Sequence, residues 1–183
     1  MRKHSNPKPR VLLHVCCGTC ALYPYFRLKE DFDITFFYYN PNIYPKKEYT
    51  RRLNDVKMIS KKNSIPLSAG KYEQKKWLRS TEDLKDEPEG GRRCSLCFRL
   101  RLNKTAETAK KMGFDIFGTS LTVSPHKNHN IINSIGSELA DSWGVDFYQS
   151  DFKKKDGFKK TMELSKKMKL HRQDYCGCIY SMK

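Results

Sequence analysis

Cysteine is the residue type here best suited to chemistry, and the seven cysteines of the chain fall into three groups. Cys16, Cys17 and Cys20 stand in the run Cys16-Cys17-Gly18-Thr19-Cys20, Cys94 and Cys97 form a Cys-x-x-Cys pair, and Cys176 and Cys178 flank Gly177. The number is odd and Cys16-Cys17 is vicinal, so a disulfide framework fits poorly and metal or redox chemistry fits well. One tetrahedral zinc needs only four ligands, and an iron–sulfur cluster takes four thiolates. The surplus therefore points to a second metal or to redox work. A single structural zinc with spare buried cysteines is the competing reading. Cys94 and Cys97 lie three apart near the start of a helix, so their thiols share a face. Gly177 lets the backbone fold tightly between its two cysteines.

The elements that must hold these thiols alternate along the chain. Val11 to Val15 reads as a buried strand, with Gly18 as a tight turn and Ala21 to Glu30 as the helix after it. Pro24 suits the first turn of that helix better than its interior. Thiols between a strand end and a helix N-terminus sit where open α/β sheets bind ligands, and the helix dipole there favours thiolate. Further strands are expected at Asp33–Asn40, Ile65–Ala69, Asp115–Thr119 and Val145–Gln149. Helices are expected at Lys46–Asn63, Lys71–Leu78, Arg93–Met112, Ile131–Trp143 and Gly157–Lys169. Thr81 to Arg93 has loop composition, and Ser120 to Asn130 forms a second loop. This order predicts an α/β fold, a three-layer α/β/α sandwich with a mostly parallel sheet of about five strands. A basic, flexible lead-in (1–10) precedes one domain (11–183).

The chain has 183 residues, with 36 Lys+Arg against 20 Asp+Glu and a formal net charge of +16. Such an excess predicts a polyanionic partner, most simply nucleic acid. There is no secretory signal pattern and no apolar run of membrane-spanning length, so a cytoplasmic, membrane-free protein is expected.

The motifs CCGTC, YNPNIYP followed by EYTRR, GRRCSLCFR, TSLTVSPHKN and QDYCGCIYS together resemble the epoxyqueuosine reductases of the QueH type, over residues 11 to 181. The resemblance implies an oxidoreductase that removes the epoxide oxygen of epoxyqueuosine at the tRNA wobble position to give queuosine. It implies a [4Fe-4S] cluster beside an additional single metal ion, iron being the expected one, without cobalamin. The implied partners are tRNA, through the anticodon loop carrying epoxyqueuosine, and an electron donor. Six cysteines match the family pattern; Cys20 matches a position where some members carry aspartate, which also ligates metals. The implied division gives Cys16, Cys17, Cys94 and Cys97 to the cluster and Cys20, Cys176 and Cys178 to the ion. The fold implied resembles the nucleotide α-hydrolase and PP-loop group. CCGTC, however, stands where a PP-loop would cradle phosphate, which counts against ATP use.

Deoxygenating an epoxide also needs protons, and His14, Tyr38, Tyr39, His126 and Tyr175 are the candidate donors. Tyr175 is favoured by its place beside Cys176, and His14 is kept as a second catalytic candidate, although a satisfied core histidine is the plainer reading of a strand residue. Asn40, Asn42, Arg52, Ser124 and Lys127 are candidates for binding substrate: the asparagines at the end of the second strand, Arg52 in the opening of the next helix, and Ser124 and Lys127 in the loop past the fourth strand. Arg92, Arg93, Arg99 and Arg101 surround the second cysteine pair. Lys153 to Lys155 with Lys159 and Lys160, flanked by Phe152 and Phe158, suit contact with unpaired RNA. The alternatives are an iron–sulfur tRNA thiolase, which would need ATP, and a zinc-stabilised RNA-binding module without catalysis.

Overall fold

The chain begins with β1 (Arg10–His14), α1 (Gly18–Leu28), β2 (Asp33–Tyr38), α2 (Lys46–Lys62) and β3 (Leu67–Ala69) in a computed structural model that describes residues 7–182. There follow α3 (Gln74–Thr81), α4 (Arg92–Lys111), β4 (Ile116–Thr119), α5 (His129–Trp143), β5 (Asp146–Phe147) and α6 (Gly157–Lys167). The strands make one sheet, parallel at every pairing, in the order β3-β2-β1-β4-β5. The expected α/β sandwich is therefore present, with a fully parallel sheet.

β1 is the middle strand, and its two-residue alternation feeds two cores. Val11, Leu13 and Val15 pack with Leu22, Val56 and Ile59 on the face of α1 and α2. Leu12 packs with Leu102, Ala106 and Ile132 on the face of α4 and α5. Burial on both faces is why β1 reads as a continuous apolar run. From β1 the chain winds outward to β3, then returns past β1 to β4. The order reverses between β1 and β4, and a crevice at the carboxyl ends of such strands is where ligands bind in open α/β sheets.

Several boundaries differ from the sequence pattern for identifiable reasons. α1 starts at Gly18, because the Cys17 sulfur accepts from the Cys20 amide and caps the helix. Pro24 consequently lies inside the helix and not in its first turn. Gly18 is required for a close approach, not for a turn: a Cβ there would stand 2.8 Å from the Asp55 Cβ of α2. α5 starts at His129 because the Asn128 side chain caps the amides of Asn130 and Ile131. Arg10, assigned to the lead-in, belongs to β1; residues 1–6 of that lead-in lie outside the described residues. Phe152 is buried and stacks on Tyr148, so of the two aromatics beside the lysine run only Phe158 is exposed.

Candidate metal centre

Cys16, Cys17 and Cys20 converge directly above β1, their sulfurs all within 4.8 Å of one another. Strand β1 delivers the first two, and one turn of α1 brings Cys20 back over them. The Cys17 sulfur accepts from the Cys20 amide at 3.3 Å and from Gln173 Nε2 at 3.1 Å. Ser120, across the β1–β4 crevice, places its Oγ 4.0 Å from the Cys16 sulfur. Hydrogen bonds from Cys17 and then Cys20 hold the Cys16 thiol well below its usual pKa. The same contacts push Cys17 up to about 12 and raise Cys20 well above its ordinary value. One thiolate thus forms readily, and a cation must displace the other two protons.

The remaining thiols approach from α4 and from the tail. Cys97 and Cys178 pack together against Trp77. Cys94 and Cys97 both lie in the electrostatic field of Cys176 and Cys178, and burial raises Cys97 to about 11. The tail is held by Arg52, which is 2 % exposed. Its Nη1 and Nη2 donate to the carbonyls of Cys176 and Tyr175 at 3.0 and 3.2 Å, and its Nε pairs with Glu48 at 2.7 Å. Gly177 has a φ of +123°, which L side chains rarely adopt, and a Cβ there would lie 2.9 Å from the Arg52 guanidinium. All seven cysteines are free thiols. This donor set, a preassembled triad with four further thiols nearby, fits a [4Fe-4S] cluster.

The family model described as "Epoxyqueuosine reductase QueH" matches residues 11–183. The chain belongs to the QueH family. It is 38% identical to the epoxyqueuosine reductase QueH of Thermotoga maritima over 94% of this chain and 90% of that protein. Identity is also 38% to the QueH of Streptococcus pyogenes serotype M1, over 96% of this chain and 71% of the relative. Among solved structures, the fold is similar to that of the U34-tRNA thiolase NcsA of Methanococcus maripaludis with its [4Fe-4S] cluster. That match has a TM-score of 0.61 at 13% identity, and covers all of this chain but 64% of the thiolase. At such identity the likeness concerns the fold alone.

The other candidate residues of this QueH family member are distributed unevenly around the thiols. His14 is wholly buried, its Nε2 3.1 Å from the Tyr39 carbonyl and its Nδ1 3.0 Å from Thr119 Oγ1. Because a carbonyl only accepts, Nε2 carries the proton and Nδ1 accepts from Thr119. Both nitrogens are committed, which is the geometry of a core histidine rather than of the proton donor proposed from sequence. Arg52, expected to hold substrate, is spent on the tail. Tyr39 donates to Glu73 and Tyr38 to the Tyr49 carbonyl. Tyr175 is half-buried, its hydroxyl donating to the Tyr44 carbonyl and its ring under the Arg52 guanidinium.

Asn40 Nδ2 donates to the Val15 carbonyl at 2.9 Å, and the buried Oδ1 atoms of Asn40 and Asn42 have no partner among the described residues. The Ser124 carbonyl accepts from the Lys127 amide at 3.2 Å, closing a turn that leads to Lys127. Burial opposes the charge of Lys127, but the electrostatic field of Cys176, Cys16 and Cys20 outweighs it and raises its pKa. Arg99 pairs at the surface with Glu138, and Arg93 ties the Thr81–Arg93 segment through the carbonyls of Leu84, Lys85 and Glu87. Arg101 is buried among the thiols. Sequence reasoning missed Gln173, Ser120 and Trp77: each reaches the centre from a distant segment, and none has a distinctive spacing of its own.

Proposed function

We propose that this chain reduces epoxyqueuosine in tRNA to queuosine, in the cytoplasm, using electrons from a separate donor. The preassembled thiol triad at the switch point of a QueH family fold is the observation that carries this reading. Removing the epoxide oxygen as water takes two electrons and two protons. When bound, a [4Fe-4S] cluster supplies single electrons, and a neighbouring metal ion supplies a Lewis-acid position for an oxygen ligand.

The 4.8 Å grouping of Cys16, Cys17 and Cys20 supports a change to the division drawn from the family resemblance. Thiolates on one ion, with metal–sulfur bonds of ~2.3 Å, stand closer than thiolates on the corners of a cubane. Cys16, Cys17 and Cys20 would then hold the single ion, with iron as the expected metal. Cys94, Cys97, Cys176 and Cys178 would hold the cluster. Lys127 bears on both sets and offers a cation for charge developing on the substrate oxygen. The unpartnered oxygens of Asn40 and Asn42 support a role in accepting hydrogen bonds from the substrate. Ser124 and the loop around it would face the incoming RNA, and Tyr175 would serve as proton donor by turning its hydroxyl from the Tyr44 carbonyl to the substrate.

The test is metal content and visible absorption of protein purified without oxygen, followed by assay on epoxyqueuosine-containing tRNA with a chemical reductant and no ATP. Four to five irons per chain, a broad brown absorption and queuosine formation are expected. One zinc without iron or colour would leave an RNA-binding module instead, and a requirement for ATP would favour a thiolase.

A further inference from the structure

Two buried donors stand beside the thiols without an oxygen or nitrogen acceptor among the described residues. Trp77 of α3 is 2 % exposed and packs against Cys97 and Cys178; its indole Nε1–H meets no oxygen or nitrogen acceptor among the described residues, and the group it bears on is the Cys97 sulfur, whose thiolate it favours. Arg101 lies one helical turn beyond Cys97 on α4 and is also 2 % exposed. Its Nε donates to the Cys97 carbonyl at 3.2 Å, while its Nη2 is left unpartnered. Similar groups are satisfied at Trp143 and Arg52, although Arg93 Nε, next to Cys94 on α4, is also unpartnered. Trp143 Nε1 sits 2.9 Å from Asn103 Oδ1, and the buried Arg52 uses all three guanidinium nitrogens.

Buried N–H groups are rarely left unpaired, so each orphan asks for an acceptor. Cys94, Cys97 and Arg101 recur at three- and four-residue spacing along one face of α4, with Trp77 packed beside them. Sulfur is the acceptor which that face offers, and it accepts strongly once it carries charge as a bound thiolate or sulfide. A guanidinium and an indole N–H turned to such sulfurs favour the more negative, reduced state. Hydrogen bonds to sulfur and local charge are established levers on cluster potential.

We propose that Trp77 Nε1 and Arg101 Nη2 donate hydrogen bonds to the sulfurs of an iron–sulfur cluster anchored at Cys97, raising its reduction potential. This rests on the cluster reading above. Trp77 and Arg101 are positioning residues, acting through the cluster and not on substrate.

The experiment is an EPR-monitored redox titration of the anaerobically purified full chain, with Trp77→Phe and Arg101→Met beside the unaltered protein. Both variants should move the potential to more negative values, Arg101→Met further because it also removes a charge. Full iron content with unchanged potentials would overturn the proposal and leave the cluster reading standing. Unaltered protein without iron would end both. Should the variants lose iron, unaltered protein carrying 15N-labelled indole decides the matter by pulsed EPR of the reduced cluster. A weakly coupled 15N that survives Trp143→Phe supports the proposal, and its absence overturns it.

Discussion

Cys20 differs from its two partners in the triad because it belongs to the first turn of α1 and its sulfur reaches back to them. If it completes a metal site, the charge and reach of its side chain matter more than sulfur itself. Cys20→Asp should therefore keep the metal content of the parent, whereas Cys20→Ala should lose about one metal ion per chain. Metal analysis on anaerobic protein checks this, and equal loading of both variants would remove Cys20 from the ligand set. His14 gives a second test. Burial lowers its pKa from 6.5 to about 4, so the folded state holds it neutral. Between those values the unfolded chain binds the extra proton, so the His14 contribution is complete above pH 6.5 and is lost as pH falls towards 4. The amount at stake is about 3 kcal/mol. Urea unfolding of the metal-free protein should show the wild type losing that much more than His14→Asn on acidification. Parallel loss would show that His14 is not held neutral.

Among the elements, α2 does the least obvious work. Its Arg52 holds Tyr175 and Cys176 in place, and so sets where the last two thiols stand. Arg52→Met removes those bonds and leaves Glu48 without its closest partner, a loss on the order of 2–4 kcal/mol. Lower thermal stability, faster amide exchange over residues 170–182 and reduced iron content should follow together. Normal iron with a loosened tail would show that Cys176 and Cys178 are not needed for loading. The same helix meets α1 at Gly18, where an added Cβ has no room. Gly18→Ala should cost about 1–3 kcal/mol of folding stability by urea melt. A neutral result would mean the two helices can part without disturbing the triad.

For the whole molecule, the net charge of +16 sets how it meets RNA. Lys154, Lys155, Lys159 and Lys160 are exposed with Phe158 around the start of α6. Lys153 of the same run reaches the Lys127 carbonyl at 3.1 Å, so this basic surface continues to the rim of the thiol centre. Affinity for tRNA should fall steeply with salt, with a log–log slope of roughly −0.7 to −0.9 per phosphate contacted. Reversing Lys154, Lys155 and Lys159 to Glu should weaken binding and flatten that slope while leaving iron content unchanged. An unaltered slope would place the RNA on another face.

The order of strands and helices, the parallel sheet and the grouping of the cysteines were legible from the chain, because they follow from local periodicity and from spacing within single elements. Val11 to Val15 announces a central strand through its apolar run, and Cys94-x-x-Cys97 announces a shared helical face without any long-range information. What the sequence could not convey is which distant groups consume one another. Arg52 looked free to hold phosphate until the tail folded onto it. His14 looked available until Thr119 and Tyr39 closed on its two nitrogens, and Gly18 passed for a turn until α2 packed against it. Those outcomes depend on contacts between residues as far apart as Arg52 and Cys176, which hydrophobic pattern and charge along the chain do not encode. Burial and pairing of polar groups arise only when the layers assemble, and they decide which of the candidate side chains remain free for chemistry.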